Sequence, residues 1–224
     1  KHRDRVAFVR LCSGHFTRGM KLKHIRSDKN MSISNPVMFM ANERETAEDA
    51  RAGDIIGIPN HGQIRLGDSF SEGEKIEFTG LPTFAPEMLK GVISLDPLKS
   101  KHLEKALTQF AEEGMSKLFK PLIGSGWVIG VVGALQFDVL ESRIKEEYNL
   151  PVRFEGSPFT SARWIQGEPD EIAKFSSVNK IHMAVDHDQD PVFLTRLQWD
   201  IDRAKPDYPL LKFSDTKEMN QKNT

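Results

Sequence analysis

Over residues 1–80 the apolar positions come in short runs broken by glycine. "RVAFVRLCSG" reads as a strand closed by Gly14. In "GMKLKHIRS", Met20 and Leu22 alternate with Lys21 and Lys23, the period-two pattern of a strand with one buried and one wet face. "VMFMA" and "GDIIGI" are further short runs, and "NHG" and "LGDS" read as turns. "ERETAEDA" reads either as one helical turn or as a polar loop. Many short strands with little helical period predict a small antiparallel barrel or sandwich.

The pattern changes at "FTGLPTFAPEML", where Pro82 and Pro86 mark a domain entry rather than the interior of an element. "MLKGVISL" predicts a strand, and "DPLKSKHLEKALTQFAEEG" a helix. Asp96 can cap that helix, with Pro97 at its first position. Leu103, Ala106, Leu107, Phe110 and Ala111 give it one apolar face, and Gly114 stops it. Strands "KLFKPLI" and "WVIGVV", the helix in "ALQFDVLESRIKEEY" and strand "PVRFE" complete the order βαββαβ, the pattern of a ferredoxin-like α+β sandwich. A weaker second round follows: strand "TSARWI", helix "PDEIAKFSSV", strands "IHMAV" and "PVFLTRL", and a helical piece near 198–205. The polar tail "SDTKEMNQKNT" is expected to fray. The predicted architecture is multi-domain. An all-β barrel spans 1–80 and an α+β domain spans 81–224, the latter divisible into 81–155 and 156–224.

"WVIGVVGALQFDVLESRIKEEYNL" passes from an apolar run to a charged amphipathic stretch at Gly133. The run lacks polar alternation, so it predicts a central strand covered on both faces. In the helix, Phe137, Leu140, Ile144 and Tyr148 form one stripe, while Leu135 and Val139 lie on the opposite side. Apolar residues on two faces predict a second layer over this helix start, a domain–domain contact built on Leu135, Val139 and the neighbouring Arg143. "GVVGALQ" has no Lys-Ser/Thr after its second glycine and too few glycines for a dinucleotide fingerprint, so Gly133 reads as a tight strand-to-helix turn.

Charge sharpens the picture of the barrel. The net charge is −1, but residues 1–30 hold nine Lys and Arg against two Asp. Lys21, Lys23, Arg26 and Lys29 sit on one strand and its turn, a candidate phosphate-facing surface. The longest apolar run is too short to span a membrane, and "KHRDRVAF" is not a signal peptide. A single Cys12 excludes an internal disulfide framework and fits the cytoplasm. The "DHDQD" of 186–190 has calcium-loop spacing, but Pro191 and Leu197 stand where the loop needs Gly and Glu, so it reads as an acidic hairpin turn. Trp127, Trp164 and Trp199 read as core or interface anchors.

"GxVGxLQFDVLExRIKxEYN" at Gly130–Asn149, with "KHRDRVAFVRLCSG", "GMKLKHIR", "GDIIGIPNHGQIRLGDSF", "FTGLPTFAPE", "LDPLKSKHLEKALTQFAEEG" and "SARWI", resembles the bacterial class II peptide chain release factors, release factor three, within the translational GTPases. The resemblance runs the length of the chain. It implies a translation-factor-type second-domain barrel followed by the α+β third domain of that factor. It also implies a role: the family binds the ribosome after peptide release and uses GTP to drive class I release factors off it. The implied partners are small-subunit rRNA and protein, class I release factors, and a GTPase domain in cis, with no membrane and no DNA.

The GTPase machinery itself is absent from this sequence. There is no GxxxxGK[ST] loop, and "NKIH" at Asn179 lacks the Asp that would read guanine. The chain is therefore expected to have no enzymatic activity, no catalytic residue, no metal and no cofactor of its own. GTP and Mg²⁺ would belong to an N-terminal domain, and a chain beginning at Lys1 reads as a C-terminal fragment holding domains two and three. The alternatives are a fragment of a translocation-type elongation factor and a module that mainly transmits the nucleotide state of the GTPase domain.

Overall fold

The structure is a computed structural model and describes residues 5–40, 43–124 and 126–218. The chain separates into two compact units, Lys1–Thr79 and Gly80–Thr224.

The first unit contains β1 (Val6–Arg10), β2 (His15–Thr17), β3 (Lys21–His24), β4 (Lys29–Ser32), β5 (Val37–Met40), β6 (Glu43–Thr46), β7 (Asp49–Arg51), β8 (Ile55–Pro59) and β9 (Phe70–Ser71). They form small antiparallel sheets in the orders β1-β8-β5-β6, β4-β3-β9 and β2-β7. Phe16, Ile33, Ala47, Ala50, Ile56 and Ile58 are the buried centre. "ERETAEDA" is strand in two pieces, β6 and β7, rather than a helical turn or a loop. Its apolar content is too low for a strand signal, and pairing with β5 and β2 supplies what the sequence pattern lacks.

The second unit begins with β10 (Pro82–Phe84) and then runs twice through βαββαβ. The first round is β11 (Met88–Ser94), α1 (Ser100–Glu112), β12 (Lys117–Pro121), β13 (Trp127–Val131), α2 (Leu135–Tyr148) and β14 (Val152–Gly156). The second is β15 (Ser161–Gln166), α3 (Pro169–Val178), β16 (Met183–Asp186), β17 (Pro191–Thr195), α4 (Gln198–Asp207) and β18 (Lys212–Ser214), followed by β19 (Thr216–Glu218). Each round has the ferredoxin-like strand order, and the two join edge to edge through β12 and β16 into one sheet, β14-β11-β13-β12-β16-β17-β15-β18.

Register fixes the faces of this sheet. Leu118, Ile129, Met183 and Phe193 point to the side carrying the helices, and Phe119, Val128, Ala184 and Val192 to the other. The helices of both rounds therefore lie on one side. The sheet is also coiled. Only residues 157–160 link β14, at one end of the order, to β15, next to the other end. Six inter-strand spacings of about 4.8 Å would separate them in a flat sheet, whereas five residue steps reach at most about 18 Å. Coiling brings Leu89 of β11 and Trp164 of β15 into one cluster on the helix-free face, where Ala85 and Phe159 also pack.

The sequence-predicted α1 face is buried throughout. Asp96 Oδ1 accepts from the Leu98 amide at 3.1 Å, but it caps a 3-10 turn over Pro97–Lys99 that leads into the helix. The tail does not fray over 214–218: β18 completes the second round and β19 pairs with β10.

Candidate nucleic-acid interface

β3 and β4 form a hairpin in which Lys21 faces Ser32 and Lys23 faces Asn30. Lys21 and Lys23 share the outward face, as alternation predicts, and Leu22 and His24 take the inward one. Lys23 Nζ lies 2.7 Å from Asp28 Oδ1. The hydrogen bond and charge of Lys23 hold the exposed Asp28 carboxyl below its ordinary range. Lys21 is exposed and, among the described residues, has no carboxylate partner. Lys29 is likewise exposed, but its register partner is His24, so it leaves β4 on the opposite face from Lys21.

Arg26 is committed elsewhere. Its Nε and Nη2 donate to the two oxygens of Asp68 at 2.6 and 2.9 Å, and Nη2 also donates to the Gln63 carbonyl. The Asp68 side chain is fully buried and accepts the Arg65 amide at 2.7 Å. Burial raises its pKa, but Arg26, the Arg65 amide and His24 outweigh that and hold the carboxyl below the usual range. The structure thus brings Lys21 and Lys23 together, places Lys29 on the other side of the hairpin, and makes Arg26 a structural cation. Asp68, 42 residues away, is the partner that sequence reading missed, because its "LGDS" context signals only a turn.

His24 lies 2.8 Å from Asp68 Oδ2 through Nε2 and 2.9 Å from Ser27 Oγ through Nδ1. These are triad distances, but the arrangement is structural. The imidazole is 2% exposed and stacked on Phe70 at 4.9 Å, and Arg26 already neutralises the carboxylate.

On α2, Leu135 and Val139 are 78% and 48% exposed, on the side of the helix away from the buried Phe137, Leu140 and Ile144. Arg143 is not part of that outer face. It donates to Glu147 at 2.7 Å and to Glu113 at 3.1 Å, and stacks over Phe110 at 4.6 Å. Burial alone would lower its pKa; the two glutamates raise it instead. Arg143 therefore joins α2 to α1.

Both turns read for chemistry are occupied by side chains of the chain itself. At the start of α2, Gln136 Oε1 accepts the amides of Val132 and Gly133 at 2.8 and 2.9 Å, the donors a phosphate would need. Together with the missing P-loop lysine, this does not fit GTP. In the β16–β17 turn, Asp186, His187 and Asp188 come within metal-ligand distance of one another, but Lys217 from β19 fills the site. Its ammonium lies 2.7 Å from Asp186, 2.9 Å from Asp188 and in contact with Asp190. Trp164 Nε1 donates to Asp186 at 2.9 Å. Burial pushes the pKa of His187 down.

Residues 78–205 match the family described as class II release factor RF3, C-terminal domain, and residues 1–73 match elongation factor G domain 2. The crystal structure of the Thermus thermophilus protein described as ttk003000868 is similar in fold, with a TM-score of 0.56 at 19% identity. The match covers 73% of this chain and 27% of that one, so the chain corresponds to about a quarter of that protein's length. No helix is long and apolar enough to cross a membrane among the described residues. The chain belongs to the class II release factor RF3 family, as its C-terminal domain behind a barrel of the elongation factor G domain 2 type.

Proposed function

We propose that this chain is the ribosome-binding part of a translation-termination GTPase that helps clear class I release factors from the ribosome. The observation that carries the reading is the match of residues 78–205 to the RF3 C-terminal domain, which favours a termination factor over a translocation factor. In this reading GTP and Mg²⁺ act in a separate domain, and the chain contributes binding surface rather than catalytic groups.

The barrel contributes the nucleic-acid contact. Lys21 and Lys23 project side by side from β3, with Asn30 and Ser32 opposite them on β4. Two cations and two neutral hydrogen-bonding side chains on one face suit the phosphates of small-subunit rRNA, which position a protein without reading sequence. Arg26 supports this face by fixing the turn through Asp68, and Lys29 lies on the other side of the hairpin, outside it. Leu135 and Val139 of α2 are the corresponding protein-contacting element.

Co-sedimentation of the chain with bacterial ribosomes over a salt series tests the reading. Each neutralised phosphate adds about 0.9 to the slope of log affinity against log salt on duplex nucleic acid. The Lys21→Ala, Lys23→Ala variant should lower that slope by about 1–2 and weaken binding. An unchanged slope and affinity would remove this face from the interface. A labelled class I release factor leaving termination complexes at the same rate with the full-length factor carrying Lys21→Ala and Lys23→Ala would argue against its part in release-factor clearance.

A further inference from the structure

We propose that the outer face of α4 is a second, independent nucleic-acid contact: Trp199 stacks an unpaired RNA base, and Arg203 and Arg196 take the adjoining phosphates. Sequence alone gives Trp199 no such role, because the tryptophans of the chain look alike as apolar anchors. The structure separates them. Trp164 is 2% exposed and hydrogen-bonded to Asp186, and Trp127 packs against the α1–α2 core. Trp199 is 60% exposed.

The helix itself sets this orientation. Ile201 and Ala204 are buried, so the side of α4 they occupy faces the sheet. At 100° per residue Trp199 falls on the opposite side, with Arg203 one turn further along the same face. The Arg203 guanidinium lies 5.3 Å from the centroid of this exposed indole. Asp200 Oδ2 accepts the amides of Arg196 and Leu197 at 3.1 and 3.0 Å, so the entry to the helix is locked and Arg196 is held beside it.

The arginines decide the class of ligand. In this unit Arg143 and Arg153 are tied to glutamates, and Arg163 donates to Ser161 Oγ and the Ala162 carbonyl. Arg196 and Arg203 are the arginines of the unit whose guanidinium groups, among the described residues, have neither a carboxylate nor a hydrogen-bond partner; Arg203 lies against Trp199, and Arg196 precedes it by three residues at the helix entry. The acids of the helix do not supply one. Asp200 is spent on backbone amides, Asp202 accepts from Gln198 at 3.2 Å, and Asp207 lies at the far end. A protein partner would be expected to meet a broad apolar ring around such an anchor, whereas the exposed apolar neighbour here is Leu197 alone among residues 196–203. A nucleotide offers a π-face and an anion together, which is what an exposed indole with two uncommitted guanidiniums fits.

The test uses the whole chain and labelled single-stranded oligouridylate and oligoadenylate of about eight nucleotides, with a duplex of equal length as competitor. Trp199→Ala should weaken single-strand binding about tenfold or more, Trp199→Phe should stay within about threefold of the parent, and the duplex should compete poorly. Replacing Arg196 and Arg203 by Ala should lower the salt slope by about 1.4, two single-strand phosphates' worth. Unfolding midpoints equal to the parent's would assign these losses to the surface. The Lys21→Ala, Lys23→Ala variant should keep the full Trp199-dependent difference, so this contact and the barrel contact can fail separately. Parent-like RNA binding by Trp199→Ala overturns the proposal. So does equal competition by inorganic polyphosphate, which has no base. Loss of ribosome binding in Trp199→Ala with oligonucleotide binding intact would also overturn it and assign the face to a protein partner.

Discussion

Lys217 Nζ lies 2.7 Å from Asp186 Oδ2, and through this contact the last described strand is tied to the turn between β16 and β17. The lysine is 6% exposed and is shared with Asp188 and Asp190. Because β19 also pairs with β10, the same side chain fixes the strand that opens the second unit. Burial would lower the pKa of Lys217, but the three aspartates raise it above the ordinary lysine value.

Lys217→Met should therefore be costly. It leaves carboxylates with no cation at a buried site, a change that typically costs about 3–5 kcal/mol. Urea unfolding of the second unit should show a loss of that order. A loss under about 1 kcal/mol would mean that the aspartates are satisfied by water. The pH dependence has a definite sign. A raised folded-state lysine pKa stabilises fully below the unfolded value near 10.4 and is lost as pH rises beyond it. The gap between parent and variant should thus hold at pH 8–10 and narrow above about pH 10.5.

Asp68 gives the opposite dependence in the barrel. Its carboxyl is held low, so its contribution is present above the unfolded value near 3.9 and disappears as pH falls through the folded one. Asp68→Asn should destabilise the first unit at pH 7 by about 3 kcal/mol, the cost of leaving Arg26 without its bidentate partner. It should also flatten the acid limb of the stability profile below about pH 4 relative to the parent. An acid limb equally steep in both proteins would place the dependence on other carboxylates.

These two clusters show where the sequence stops being legible. Periodicity located α1 and its buried Leu103, Leu107 and Phe110, and the order of elements carried the ferredoxin-like pattern of the first round. Those signals are local, because a helix or strand repeats its burial every few residues. Arg26–Asp68 and Lys217–Asp186 span 42 and 31 positions and join side chains that look solvated in their own surroundings. A charged residue announces burial only through its partner. The β12–β16 pairing that merges the two rounds has no local signal for the same reason. Lys21 and Lys23 were readable as neighbours because alternation is local; that Arg26 is tied to the buried Asp68 was not.

Gly130 sits in β13 opposite Leu89, on the helix-free face of the sheet. A Cβ there would come within 2.6 Å of Pro86 Cβ and closer still to its Cγ. A proline ring cannot swing aside as a long side chain would, so Gly130→Ala must displace the segment that carries Ala85 and Pro86. Overpacking of this kind costs about 1–3 kcal/mol. Thermal unfolding of Gly130→Ala should fall by several degrees. Gly91→Ala serves as the control, since its Cβ would meet only Glu155 O at 3.9 Å. Equal midpoints for the two variants would show that Pro86 yields freely.

Gln136 explains the abrupt change at Gly133. Its side chain reaches back from the first turn of α2 to accept the Val132 and Gly133 amides, and its Nε2 lies 3.5 Å from the Met115 carbonyl. Both amides lie just before the N-cap Ala134, between the end of β13 and the helix, and one side-chain oxygen satisfies the two of them. Gln136→Leu preserves volume and removes the acceptor, so about 1–2 kcal/mol should be lost in chemical unfolding. Gln136→Glu keeps the acceptor and adds negative charge at the positive end of the helix, so it should match or exceed the parent. If the site were instead a phosphate cradle, Gln136→Glu would repel the anion, and added phosphate would stabilise the parent but not the variant. A Gln136→Glu variant at least as stable as the parent, with neither moved by phosphate, is the outcome that a self-capped turn requires.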